Sequence, residues 1–200
     1  MYNYRKMSEK EREQIVAYRK ECGRPLHAPP HRAGKYTDKF LISASCYEHK
    51  HQIGRSLLRL SQFESALLQL CEGHAGEVYS WCVLPNHYHI LLLIPQFEPF
   101  MQQLGRLHGR TSYYWNKEDN TQGRKVWHRA FDREIRSEAH FWATMNYVHN
   151  NPVHRGYVDK WADWFWSSSG EFIERVGREK AIRIWFDYPV RDYGKGWDIT

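Results

Sequence analysis

The chain is short of the features that announce several protein classes. Its four cysteines, Cys22, Cys46, Cys71 and Cys82, include no CxxC pair. A zinc cluster or disulfide framework is therefore not expected, and with no secretory signal ahead of them a reducing cytoplasm is the expected compartment. Long apolar runs are missing too. The longest, near Ile90–Pro95, is far shorter than the roughly 20 residues that a helix needs to cross a bilayer. No internal repeat, low-complexity tract or long basic run occurs, which argues against a repeat architecture or a disordered chain.

What is present describes a folded, basic domain rich in rings. With 200 residues, 42% of them hydrophobic, the chain can bury one core and still carry appended arms. A formal charge of +6 and a pI near 9.1 favour a polyanionic partner such as nucleic acid. A merely basic soluble protein explains the charge equally well. Nine Trp and thirteen Tyr raise the aromatic share to 16%, and aromatic faces beside basic residues are what single-stranded bases stack on. Twelve histidines make convergence the question to ask of them.

Residues 8–21 read as a polar, exposed helix opening at Ser8. Residues 23–36, with three prolines and two glycines, read as an extended linker. Residues 38–48 look like a first strand. A helix follows Ser56, with Leu57, Leu60, Phe63, Leu67 and Leu70 at helical spacing. Residues 77–84 and 88–94 read as two strands around a Pro85–Asn86 turn. A second helix is expected from about Phe100 to Trp115, then a polar loop to 125 and an extended segment over 126–135. Ser137 and Glu138 cap a third helix, expected to stop before Pro152, and a further helix is possible near 169–178. This order predicts an α+β fold of ferredoxin-like or RRM-like type, an antiparallel sheet with helices packed on it. The boundaries it predicts are an N-terminal arm and linker over 1–36, a main domain over 37–160 and a Trp-rich C-terminal tail over 161–200.

The strongest chemical signal is Pro85-Asn86-His87-Tyr88-His89-Ile90-Leu91. Side chains alternate along a strand, so His87 and His89 share a face and Tyr88 takes the other. Two imidazoles side by side make half of a divalent-metal site. Taken alone, such a pair is more often two ordinary polar residues. A histidine-triad hydrolase would need a third His where Leu91 stands.

Tyr147 and Asn151 lie four residues apart in NYVHNNPVHRGYV, on one face of the third helix. A phenol beside an amide oxygen could supply a nucleophile and a third metal ligand together. Equally, Tyr147 alone fits a core aromatic, and Asn151 before Pro152 fits a helix end.

Taken with the His pair, these residues resemble the HUH single-tyrosine transposases, and among them the REP-associated tyrosine transposases of bacteria. The matching segments are RPLHAPPH (24–31), ISASCYEHK (42–50), WCVLPNHYHILL (81–92), VWHRAFDREI (126–135) and YVHNNPVHRGYV (147–158), within roughly residues 24–170. The resemblance implies a ferredoxin-like sheet with the His pair on a central strand and the tyrosine on a following helix. It implies His87 and His89 as metal ligands, Asn151 as the amide-bearing third ligand, Tyr147 as nucleophile, and Mg²⁺ or Mn²⁺ as cofactor. The implied activity is metal-dependent cleavage and rejoining of single-stranded DNA through a 5′-phosphotyrosine, at hairpin-forming palindromic repeats. No membrane is involved; a bacterial, nucleoid-associated setting and a monomer or homodimer are expected. Arg24, Arg106, Arg110, Lys117 and Arg129 are candidate DNA contacts, with Tyr113, Tyr114 and Trp115 as stacking surfaces; a solvated basic face and a core role for the rings explain them as well. The alternatives are a non-cleaving binder of hairpin DNA or RNA, and an interaction protein using the tail WADWFW (161–166).

Overall fold

Apolar and polar residues alternate over Ile42–Ser45 of Lys39–Ser45 (KFLISAS), the segment that forms strand β1 in the computed structural model of the chain. The structure describes residues 38–191 and 193, together with 8–10, 13, 14 and 17. Residues 36–194 form one unit; a second comprises 1–35 and 195–200. In that second unit the described positions Glu9, Lys10, Glu13, Gln14 and Ala17 are helical, as expected for 8–21. The linker 23–36, with Arg24, lies outside the described residues.

After β1 come short 3₁₀ turns at Tyr47–His49 and Ile53–Arg55, then helix α1 (Leu57–His74), strands β2 (Glu77–Val83) and β3 (His87–Leu93), helix α2 (Phe97–Glu118), strand β4 (Phe131–Glu134) and helix α3 (Glu138–His154). The sheet order is β2-β3-β1-β4, antiparallel throughout. Strand-helix-strand-strand-helix-strand in that order is the ferredoxin-like arrangement. Strand β3 is buried on both faces, which is why it reads as a nearly unbroken apolar run.

The two faces have different tasks. Ile42, Ala44, Trp81, Val83, Tyr88, Ile90 and Leu92 point into the main core with Leu60, Phe63 and Leu67 of α1 and Phe100, Leu104 and Leu107 of α2. The register puts Ser43, Ser45, Cys82, His87, His89 and Arg133 on the other face, over which α3 packs on β2 and β3.

Four boundaries differ from the sequence expectation. β1 ends at Ser45, because the chain turns at Tyr47–His49. α2 begins at Phe97, before Pro99; a first turn has no use for the missing proline N–H. α3 runs through Pro152 to His154. The proline sits two residues from the end, and Arg155 N still donates to Asn151 O at 3.0 Å. The tail helix is two helices, α4 (Ser169–Val176) and α5 (Arg178–Asp187), broken at Gly177, whose φ of 83° suits glycine. Ahead of α4, the tail runs along the edge of β2: Val83 N donates to Trp166 O at 2.9 Å and Ser168 N to Trp81 O at 3.0 Å. An otherwise unpaired sheet edge is thereby covered.

Two local devices hold the site end of this frame. Gly54 N donates to Pro85 O at 2.9 Å, and a Cβ at Gly54 would lie 2.4 Å from Pro85 Cβ and 2.7 Å from Pro85 Cα. Gly54→Ala should therefore cost about 1–3 kcal/mol by overpacking against backbone, read as a lower midpoint in urea unfolding; an unchanged midpoint would show that the turn simply moves aside. Where α1 begins and α2 ends, the Asp119 carboxylate accepts from Arg59 Nη1 at 3.1 Å, Arg59 Nη2 at 2.8 Å and Arg124 Nη2 at 2.8 Å. The Arg59 side chain is only 8% exposed. Asp119→Ala leaves that guanidinium short of its main partner, and the expected loss is about 3–5 kcal/mol. The same arginine bonds hold the Asp119 pKa down to about 2. Its contribution is complete above the unfolded-state carboxylate pKa of about 3.9 and is lost as pH falls toward 2. Acid titrations of wild type and Asp119→Ala should converge in that window.

Candidate active site

Strand alternation on β3 sends both His87 and His89 toward α3, their ring centroids 5.1 Å apart. Helix α3 starts at Ser137, whose hydroxyl accepts from His140 N at 3.1 Å, and it delivers Tyr147 and Asn151 from successive turns. The four side chains meet. His87 Nε2 is 2.9 Å from Asn151 Oδ1, and Tyr147 Oη is 3.3 Å from His89 Nε2. All lie within one chain. Exposure is 3% for His87, 1% for His89, 4% for Tyr147 and 1% for Asn151, so water has little access to the tyrosine oxygen.

Each imidazole meets an oxygen at its other nitrogen. His87 Nδ1 is 2.7 Å from Asn86 Oδ1, and His89 Nδ1 is 2.6 Å from Ser43 Oγ. Outer oxygen partners of this kind orient the rings of metal-ligating histidines. The donor set suits a hard or borderline divalent ion. Asn151 turns its oxygen, not its NH₂, toward His87, while its buried Nδ2 has no hydrogen-bond partner. Neighbouring ligands about 2.1 Å from an octahedral ion lie about 3 Å apart, close to the His87–Asn151 separation. Among the described residues no three His, Cys, Asp or Glu side chains converge. Two imidazoles and an amide would leave the remaining coordination positions to water and substrate.

The three described cysteines are buried thiols, not activated nucleophiles. Cys82 pairs with His89 across the sheet, but burial pushes its thiol well above the ordinary value; Cys46 and Cys71 are pushed up to about 12 by the same cause. His149, two residues past the tyrosine, is stacked on Trp161 and bonded through Nε2 to Ser168 Oγ at 3.0 Å. Burial lowers its pKa to about 3, so it is a neutral bracket between α3 and the tail.

The candidate DNA contacts are not brought to this group. Arg106, Arg110 and Lys117 lie on α2, exposed and on the opposite side of the sheet from the histidine pair. Tyr113 and Tyr114 are exposed there, whereas Trp115 is a core residue. Arg129 is exposed ahead of β4. Three neighbours were not anticipated. Ser43 reaches His89 through strand register, which a single sequence does not display. Tyr193 packs on Tyr147 with centroids 5.5 Å apart and bonds to Thr144 and His140. Asn86 was legible as the polar residue of the turn beside His87.

The chain is similar to known proteins over this region. The model of the family described as "Transposase IS200 like" matches residues 42–151. A REP-associated tyrosine transposase assigned in Haemophilus influenzae is 29% identical over 119 residues, covering 54% of this chain and 68% of that protein. A solved structure of a REP-associated tyrosine transposase bound to a REP hairpin has the same fold, with a TM-score of 0.58 at 16% identity, over 74% of this chain and 86% of the other. Among the described residues no helix is long and apolar enough to cross a membrane.

Proposed function

The chain belongs to the IS200-like transposase family, and from that premise we propose that it cleaves and rejoins single-stranded DNA at hairpin-forming palindromic repeats through Tyr147. The observation that carries this reading is the contact of Tyr147 Oη with His89 Nε2 at 3.3 Å, beside the His87–Asn151 pair, inside a single chain. The REP hairpin bound by the structural relative and the REP-associated name of the Haemophilus protein support the choice of substrate. The setting that goes with it is the bacterial cytoplasm, at the nucleoid.

His87, His89 and Asn151 are the residues that would hold Mg²⁺ or Mn²⁺, with Mn²⁺ the better match for imidazole nitrogen. A bound divalent ion withdraws negative charge from a non-bridging phosphate oxygen. The chain's own part is nucleophile and placement. Tyr147 Oη forms a bond to phosphorus as the bond from phosphorus to the 3′-oxygen breaks. The phenol gives up its proton and the departing 3′-oxygen takes one, so the proton count is unchanged. The product is a 5′-phosphotyrosine and a free 3′-hydroxyl. A second 3′-hydroxyl attacking the same phosphorus restores the phenol and joins the strands without ATP. A strand reaches Tyr147 only when the side chains packed on it, Tyr193 foremost, give way.

The test is a labelled oligonucleotide carrying a repeat hairpin and its single-stranded flank, incubated with the full chain and Mn²⁺ and run on a denaturing gel. A protein–DNA adduct dependent on Mn²⁺ is expected. Hairpin binding with no adduct under any divalent ion would instead favour the non-cleaving binder.

A further inference from the structure

The turn that precedes His87 is anchored more heavily than a two-residue connection requires. Asn86 O accepts from Cys46 N at 2.7 Å, and Asn86 Nδ2 donates to His49 O at 3.0 Å. The second bond fixes which end of the amide is which, because a backbone carbonyl can only accept. The atom 2.7 Å from His87 Nδ1 is therefore the amide oxygen, which also only accepts. His87 Nδ1 must carry the proton. A neutral imidazole has one N–H, so Nε2 is left with its lone pair and does not donate to Asn151 Oδ1, 2.9 Å away; the two acceptors stand as two ligands of one cation would, and in the metal-free chain Asn151, whose Nδ2 has no partner, can turn that NH₂ to Nε2.

His89 is held differently. Its Nδ1 partner is the Ser43 hydroxyl, a rotor that can donate or accept, so that contact orients the ring without choosing the tautomer. The carbonyl that Asn86 holds belongs to an unusual loop: Glu48 and His49 have φ of 55° and 51°, two successive non-glycine residues in the left-handed region. Such conformations persist only where surrounding bonds over-determine them, and they cluster at functional sites. Here the bonds include those of the Asn86 side chain to His49 O, of His49 N to Cys46 O at 3.0 Å and of Glu48 N to His128 Nε2 at 3.2 Å.

We propose that Asn86 is a positioning residue of the reaction centre: its amide, locked by the carbonyl of His49, sets His87 in the Nδ1–H tautomer and so presents the Nε2 lone pair beside Asn151 as a ligand. The inference rests on the function proposed above for His87, and its test is independent of DNA cleavage. The wild-type chain, labelled with ¹⁵N-histidine and free of metal, is examined by long-range ¹H–¹⁵N correlation at about pH 8.5, two units above the ordinary imidazole pKa. The resonance lost in His87→Gln identifies the ring. An Nδ1–H pattern is expected for wild type and for Asn86→Asp, which keeps an acceptor at that place, and a mixed or Nε2–H pattern for Asn86→Ala. Mn²⁺ affinity by calorimetry should fall about 10–100-fold in Asn86→Ala, the usual cost of losing an outer-shell partner, and by less in Asn86→Asp. An Nε2–H pattern in wild type, or an Asn86→Ala chain with unchanged tautomer and unchanged Mn²⁺ affinity, overturns the proposal. Should Asn86→Ala fail to fold, wild type and Asn86→Asp decide it, since an Nε2–H pattern in either overturns it. The expected tautomers in a chain that forms no DNA adduct would sink the cleavage reading and leave the role of Asn86 standing.

Discussion

Tyr147→Phe is expected to reduce covalent adduct formation by about a thousandfold or more, since it removes the oxygen that bonds to phosphorus in the proposed reaction. The substitution removes one oxygen and its 3.3 Å contact to His89. The ring keeps its packing against His89 and Tyr193, with centroids at 5.0 and 5.5 Å. The fold and hairpin affinity should therefore change little, and a gel-shift titration beside the adduct assay separates the two properties. Tyr147 is the tyrosine whose hydroxyl meets the histidine pair, 3.3 Å from His89 Nε2. Tyr88 lies between the two histidines in sequence, but its side chain points to the opposite face, fully buried, with its hydroxyl 3.0 Å from His108 Nε2. Burial raises the Tyr88 pKa well above the ordinary value, so Tyr88→Phe should leave adduct chemistry intact if the core tolerates the loss of that bond.

The second large effect concerns the imidazole pair. His87→Ala combined with His89→Ala should abolish Mn²⁺ binding measurable by calorimetry, a loss of more than about a hundredfold, because removing ligands costs more than removing their outer partners. Adduct formation should fall with it. Both rings are buried and hydrogen-bonded, so the double variant will also be less stable, and circular dichroism has to show that it remains folded at the temperature used. Retained Mn²⁺ affinity in a folded double variant would mean that the ion, if used at all, binds elsewhere.

Much of this arrangement can be read from local rules. Period-two alternation puts His87 and His89 on one face of β3 whatever the rest of the chain does. The four-residue spacing of Tyr147 and Asn151 aligns them on α3 once a helix forms there. The order of elements narrows the fold to a ferredoxin-like sheet. What could not be read depends on distant partners. The pairing of Ser43 with His89 is set by strand register between segments 46 residues apart. Nothing local decides that the helix bearing Arg106, Arg110 and Lys117 packs on the face away from the histidines, which follows from the apolar row Phe100, Leu104 and Leu107 meeting the main core. Pro152 misleads because local preference treats proline as a stop; α3 continues two residues past it, with Asn151 O still bonded and Asn151 itself buried against His87. The tail reads as a run of aromatics, and only the fold shows Trp164–Ser168 lying along the open edge of β2.

The central claim is that one tyrosine on α3, held beside a histidine pair from β3, takes the DNA phosphate. The most direct measurement is to isolate the Mn²⁺-dependent adduct on a labelled repeat hairpin, digest it with protease and locate the modified residue by mass spectrometry. The account predicts a single peptide carrying a 5′-phospho-oligonucleotide on Tyr147. An adduct mapped to any other residue, or a cleaved strand with no covalent protein intermediate, would contradict it.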